Sequence, residues 1–306
     1  MTRTLALIAA LLAALPAAAQ PSPEMAAALL RMGRVIATLP TAALYAPLHP
    51  AEIPAGFRVT RDAVYGPDPR HRLDVVAPAE AGPARRVLVF VPGGGFVGGD
   101  KRMPGQPAFY DNIPLWAARQ GMVGVTINYR LAPAHPYPAV QEDIGLALAW
   151  VAREIGALGG DPAQVFLMGH SAGAIHAALY AASPGFHPAA VPPPRGHVFV
   201  SGIYSFGDDA APPNERAYFG EAATLRAERS PAAALLRLEV PVMLAYGTLN
   251  PARFVEQSAA MARALHEAGR APRVEVLEGH SHISEILAIG TADTALTGPL
   301  LAFLRR

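Results

Sequence analysis

Short apolar runs recur along the chain, most of them with no polar alternation inside them. Val87–Val91 is the clearest, and Met122–Asn128, Val165–Met168, His197–Ile203, Val242–Tyr246 and Val274–Leu277 follow. A strand with one wet face alternates apolar and polar residues; an uninterrupted β-branched run needs cover on both faces. Helical stretches separate the runs, at Phe109–Gln120, Ala139–Ile155, Ala172–Ala182, Phe254–Ala268 and Ala295–Arg306. Along Ala139–Ile155, Ile144, Leu148 and Val151 fall on one stripe. Buried strands alternating with helices specify an α/β fold, a mostly parallel sheet with helices on both faces. Arg58–Pro78 adds strand-like pieces, including Leu73–Val76.

The chain has 306 residues, 52% hydrophobic and 16% charged, with formal net charge +1 and no cysteine. That supply of apolar side chains suits one large domain stabilised by packing, without disulfides, thiol nucleophiles or thiolate metal sites. The charge balance offers no footprint for nucleic acid. Arg3, the apolar run Leu5–Leu15 and Ala17–Ala19 have the charged, apolar, small order of a secretory signal peptide over residues 1–19. The apolar run is shorter than the roughly 20 residues of a membrane span. A secreted or periplasmic domain over 20–306 is expected, without stable membrane insertion. The rhythm breaks at 205–237, which with 23–50 is expected to form a small helical cap.

Gly169-His170-Ser171-Ala172-Gly173 follows the run Val165–Met168 and opens a helix. In that strand–turn–helix setting a strained turn lifts a serine hydroxyl above the sheet, so Ser171 is the candidate nucleophile. A side chain at either flanking glycine clashes with neighbouring backbone at so sharp a turn. Pro92-Gly93-Gly94-Gly95-Phe96 follows the run Val87–Val91. Lys101 stands too far downstream for a phosphate loop. Beside Ser171 the glycines read as an oxyanion hole, with the N–H groups of Gly94, Gly95 and Ala172 as donors.

These motifs resemble the hormone-sensitive-lipase-like branch of α/β-hydrolases, which includes bacterial carboxylesterases and kynurenine formamidases. The likeness is carried by Val91–Phe96, Tyr129-Arg130-Leu131-Ala132-Pro133 through Asp143, Gly160-Asp161-Pro162 leading into Gly169–Gly173, and Gly279-His280-Ser281-His282. It implies the α/β-hydrolase fold with an eight-stranded sheet, a helical cap, no metal and no organic cofactor, and hydrolysis of short or aromatic esters. Tyr129–Asp143 is then a brace beneath the site, and His282 the base, with His280 a structural neighbour. The branch usually has histidine before the three glycines; here Pro92 fixes the backbone instead.

The acid of that branch stands in a Gly-x-x-Asp turn, where this chain reads Gly247-Thr248-Leu249-Asn250. An amide oxygen can orient an imidazole, but it carries no charge to stabilise an imidazolium, and the wrong tautomer costs about 10⁴-fold in a serine protease. Three readings stay open: Asn250 orients His282 at a reduced rate; Asp208 or Asp209 supplies the charge; or the protein binds without catalysing. Glu256 and Glu285 read as solvated helix charges. The candidate functions are a secreted serine carboxylesterase for short-chain or aryl small-molecule esters, a formamidase-type or other amidase, and a non-catalytic ligand-binding protein. Phe96, Tyr204, Phe206 and Tyr218 are aromatic wall or packing residues. No oligomeric state is specified.

Overall fold

The computed structural model describes residues 21–306 apart from Pro104, Pro107 and Asp209. The expected leader at 1–19 lies outside the described residues. In chain order the elements are α1 (Pro23–Met32), α2 (Thr38–Tyr45), β1 (Phe57–Val64), β2 (Arg72–Pro78), β3 (Arg85–Val91), α3 (Ala108–Arg119), β4 (Val123–Ile127), α4 (Ala139–Glu154), β5 (Gly160–His170) and α5 (Ala172–Ala182). Then come β6 (Gly196–Val200), α6 (Pro213–Phe219), α7 (Ala223–Glu228), α8 (Ala232–Leu235), β7 (Val242–Gly247), α9 (Ala252–Glu267), β8 (Arg273–Leu277), α10 (Ser284–Leu287) and α11 (Thr297–Leu304).

The eight strands form one sheet in the order β1-β2-β4-β3-β5-β6-β7-β8. β2 runs antiparallel to both of its neighbours, and every pairing from β4 to β8 is parallel. Strand β3 shows why its sequence lacks alternation. Val87, Val89 and Val91 enter the core on one face, while Leu88 and Phe90 enter the core on the other. Val165 and Leu167 of β5 divide from Phe166 and Met168 in the same way. Each such side chain contributes about 1.5–3 kcal/mol by leaving water. The two edges differ: β1 and β8 are half-exposed and carry Arg58, Arg61, Asp62, Arg273 and Glu275. Charge on an edge strand discourages pairing with another chain.

The expected strands match β3 to β8 and the expected helices match α3, α4, α5 and α9, with boundaries shifted by a few residues. The segment 205–237 leaves the sheet and forms α6, α7 and α8. At the N-terminus, α1 opens on a Ser22 cap whose hydroxyl accepts from Met25 N–H at 3.2 Å. Leu29, Ala42 and Tyr45 of α1 and α2 pack into the core beside α10 and α11. Among the described residues, no helix is long and apolar enough to cross a membrane.

Candidate active site

The turn between β5 and α5 holds Ser171 at φ 56°, ψ −126°, a conformation that costs about 1–3 kcal/mol and persists only when its surroundings enforce it. The surroundings do. Ser171 N–H donates to Val200 O at 2.9 Å, tying the turn to the end of β6. A Cβ on Gly169 would lie 2.2 Å from Gly173 O, and one on Gly173 would lie 2.0 Å from Val91 O. Both flanks therefore exclude any side chain. The hydroxyl stands at the N-terminus of α5, where unpaired N–H groups favour negative charge.

The glycine loop lies beside this turn because β3 and β5 are neighbours in the sheet. Gly93 N–H donates to the Tyr110 hydroxyl at 3.2 Å. The Tyr129 hydroxyl donates to Pro92 O at 2.7 Å. Among the described residues, the Gly94 and Gly95 N–H groups have no acceptor. The brace expected at Tyr129–Asp143 takes a definite form. Buried Asp143 accepts from Arg130 N at 2.8 Å and from Arg130 Nε at 2.7 Å, and lies 2.9 Å from His71 Nε2.

His282 follows β8 and packs its ring against Phe254, with ring centroids 4.4 Å apart. Its Nε2 lies 2.8 Å from Ser171 Oγ and its Nδ1 2.6 Å from Asn250 Oδ1. The Asn250 amide is oriented by its other contacts. Nδ2 donates to Gly247 O at 3.1 Å and to Glu285 Oε2 at 3.0 Å. Both amide hydrogens are used, so Oδ1 faces the imidazole and accepts. That assigns the proton to Nδ1 and leaves Nε2 free to accept from the serine, the tautomer that general-base work needs. Burial, and secondarily His170, hold the His282 pKa well below 6.5, so the ring is neutral at pH 7.

Behind His282 lies a second layer. His170 Nε2 donates to His282 O at 2.8 Å, and its Nδ1 accepts from the Tyr110 hydroxyl at 3.0 Å. Burial pushes the Tyr110 phenol far above its usual pKa, so it stays a donor. Glu285 is fully buried, and its Oε2 also accepts from Gly247 N–H at 2.8 Å. His170, His282 and Glu285 are the one group of potential metal ligands among the described residues, with ligand atoms within 4.8 Å of one another. Both nitrogens of each ring and Glu285 Oε2 are engaged as described, so an ion bound to the His282 ring must break the Ser171–His282–Asn250 chain.

Ser171, half-buried, opens into a cavity of about 400 Å³. Its apolar walls include Ile36, Phe96, Met103, Ile175, Ile203 and Phe254; Asn214 and Glu215 enter from α6, Ile36 from the segment before α2 and Thr38 from its first turn. Among the described residues, Asp100 and Glu215 are its acidic lining, and no lysine or arginine lines it. Glu215 is buried and ion-paired to Arg253, 3.0 Å from Nη2 to Oε2.

The region matching the family model described as alpha/beta hydrolase fold is residues 88–285. The chain belongs to the α/β-hydrolase fold family. Within it, the glycine loop, the brace and the serine turn identify the hormone-sensitive-lipase-like branch. The chain is 34% identical over 117 residues to the probable isoprenylcysteine alpha-carbonyl methylesterase ICME of Oryza sativa subsp. japonica, an alignment covering 38% of this chain and 27% of that one. It is 38% identical over 140 residues to the esterase LipQ of Mycobacterium tuberculosis, covering 42% and 32%. The chain thus spans about a quarter to a third of the length of these relatives. Among solved structures, esterase B from Lactobacillus rhamnosis is similar with a TM-score of 0.67 at 20% identity, over 87% of this chain and 90% of that one. A thermostable esterase from Pseudomonas putida ECU1011 gives 0.64 at 20%, over 94% and 95%. These likenesses show the fold.

Several sequence expectations change. Glu285, read as a solvated helix charge, is buried against Asn250. Its helix sits within Ile283–Ile289, where every residue except Ser284 and Glu285 is apolar, and that composition was the available signal. Asp208 is exposed and accepts from Ala210 N–H, away from His282; Asp209 lies outside the described residues. Glu256 is exposed, as expected. His280 turns from Ser171 toward Ser284 Oγ, 3.2 Å from Nδ1, and Asp293, 3.2 Å from Nε2. Phe96 lines the cavity, whereas Tyr204, Phe206 and Tyr218 are packing residues. Tyr110 and His170 were not singled out, since nothing local marks a residue whose partner lies 60 positions away.

Proposed function

We propose that the protein is a serine carboxylesterase that hydrolyses small neutral esters through an acyl-enzyme on Ser171. The observation that carries this is the unbroken chain from Ser171 Oγ through His282 to Asn250 Oδ1, with spacings of 2.8 and 2.6 Å. The similarity to proteins named as esterases supports it. In the first half-reaction Oγ attacks the ester carbonyl carbon while its proton passes to His282 Nε2. The carbonyl oxygen becomes an oxyanion facing the N–H groups of Gly94, Gly95 and Ala172. When the intermediate collapses, the imidazolium returns the proton to the departing alkoxide. Water repeats the sequence on the acyl-enzyme and releases the acid.

The cavity supports a substrate preference. Its walls are mostly apolar, and its acidic residues disfavour substrates that carry a carboxylate. A volume of about 400 Å³ fits a short acyl chain or a single ring. The helices at 23–50 and 205–237 serve as the cap, since both segments contribute cavity walls. The leader at 1–19 supports export, which N-terminal sequencing of the mature protein tests.

Hydrolysis of p-nitrophenyl esters from acetate to octanoate, beside Ser171→Ala, tests the activity. The expected result is turnover falling off with chain length and abolished in the variant. Turnover that survives Ser171→Ala overturns the mechanism. A preference for N-formylkynurenine over every ester reassigns the same machinery to amide hydrolysis.

A further inference from the structure

We propose that Glu285 is the positioning carboxylate of this active site, supplying through the Asn250 amide the negative charge that the third position lacks. The inference rests on the reading of Ser171 and His282 as nucleophile and base.

Burial is the first argument. Glu285 is fully buried, and among the described residues no lysine or arginine pairs with it. Such a carboxylate is destabilising unless something uses it. Its contacts show what that is. Oε2 accepts N–H bonds from Gly247 and Asn250, the pattern that suits an ionised carboxylate. Among the described residues Oε1 accepts no hydrogen bond; it lies 3.3 Å from His170 Nε2, whose proton is given to His282 O. A ring nitrogen of His282 and a carboxylate oxygen of Glu285 lie within 4.8 Å. Charge and base are therefore neighbours, separated by one neutral amide.

The two roles are distinct. Accepting from Asn250 Nδ2 locks the amide with Oδ1 toward His282 and selects the reactive tautomer. The charge then stabilises the imidazolium. On attack, the Ser171 proton moves to Nε2, Nδ1 keeps its own, and Glu285 gains none; the new positive charge forms beside a standing negative one. The other titratable groups around the ring are His170 and Tyr110 behind it, His280 with Asp293 further along the loop, and Glu215 with Arg253 across the cavity.

Full-length Glu285→Gln, Asn250→Asp and the double variant test this with p-nitrophenyl acetate, while 15N resonances of His282 report its tautomer. Glu285→Gln should lower kcat about 10²-fold, as expected for losing a charge within 5 Å at an effective dielectric near 20. KM should hold, the acid limb of kcat/KM should move down, and the 15N signals should show mixed tautomers instead of a proton fixed on Nδ1. Asn250→Asp alone should give no gain, because two carboxylates in contact cannot both ionise. The double variant should exceed Glu285→Gln by at least tenfold, since one charge is restored beside the base. Unchanged kcat and tautomer in Glu285→Gln overturns the proposal, as does a large gain in Asn250→Asp alone. That last arm leaves Glu285 in place and decides the matter even where Glu285→Gln fails to fold. A wild type without ester turnover overturns the functional reading, while the His282 tautomer in Glu285→Gln still judges this one.

Discussion

The Tyr110 hydroxyl stands between the two halves of the site: it accepts the Gly93 N–H at 3.2 Å and donates to His170 Nδ1 at 3.0 Å. One phenol thus sets the glycine loop against the histidine layer that supports the base. Tyr110→Phe leaves a buried N–H and a buried ring nitrogen unpaired, which costs about 1–3 kcal/mol. The expected outcome is a lower melting temperature and a fall in kcat larger than any change in KM, measured by calorimetry and steady-state kinetics on one preparation.

The serine turn is less forgiving. Gly173→Ala puts a methyl group 2.0 Å from Val91 O, with Pro92 O at 2.5 Å. Backbone on both sides prevents relief by a side-chain rotation, so the glycine loop and the turn must separate. We expect loss of ester turnover together with a large loss of stability or soluble yield; wild-type activity and melting temperature in this variant would contradict the packing described.

Rate should depend on pH through His282. Its pKa is held well below 6.5 mainly by burial, and the neutral ring is the active form. Raising the pH therefore deprotonates the base, and kcat/KM is expected to climb on an acid limb below 6.5 and then stay level to pH 8. A midpoint at or above 6.5 in the pH–rate profile would show that the base is more solvated than its position implies.

Stability should respond to pH through different histidines. Burial pushes His176 and His197 down to about 3. Between 6.5 and about 3 the unfolded chain binds protons that these rings refuse, so stability is complete above 6.5 and declines on acidification. Each ring contributes a slope of about 1.4 kcal/mol per pH unit across that window. His176 is surrounded by Phe96, Tyr129 and Tyr218, and among the described residues neither of its nitrogens has a hydrogen-bond partner. His176→Leu should therefore leave neutral stability little changed and flatten the acid slope in denaturant titrations.

Across the cavity, Arg253→Ala removes the cation paired with Glu215. Because the Arg253 side chain is 34% exposed, the loss of stability should be modest, about 1 kcal/mol after screening by solvent. The kinetic effect should fall on KM for neutral esters, since Glu215 lines the cavity without touching Ser171 or His282. A loss confined to kcat would place Glu215 in the chemistry instead.

What was legible in the sequence follows from how local each feature is. The runs Val87–Val91 and Val165–Met168 specify doubly covered strands by themselves, and the glycines around Ser171 specify the turn that follows. The Ser171, His282 and Asn250 positions could be named because each follows a strand in a fixed chain order. Orientation was not legible. Whether Asn250 offers oxygen or nitrogen to the ring depends on Glu285, 35 positions away and on a different element. Ile36 and Thr38 were equally hidden as cavity walls, because their part in the site comes from how the N-terminal helices pack on α10 and α11.

The contact between Asn250 and Glu285 also bears on descent. Substitution at either place alone gives two repelling carboxylates or none, so the path between this arrangement and an aspartate beside the base passes through a poorer enzyme. Two lineages on opposite sides of that valley would retain one fold and one reaction. Inspected position by position, each would look to the other like a pseudoenzyme.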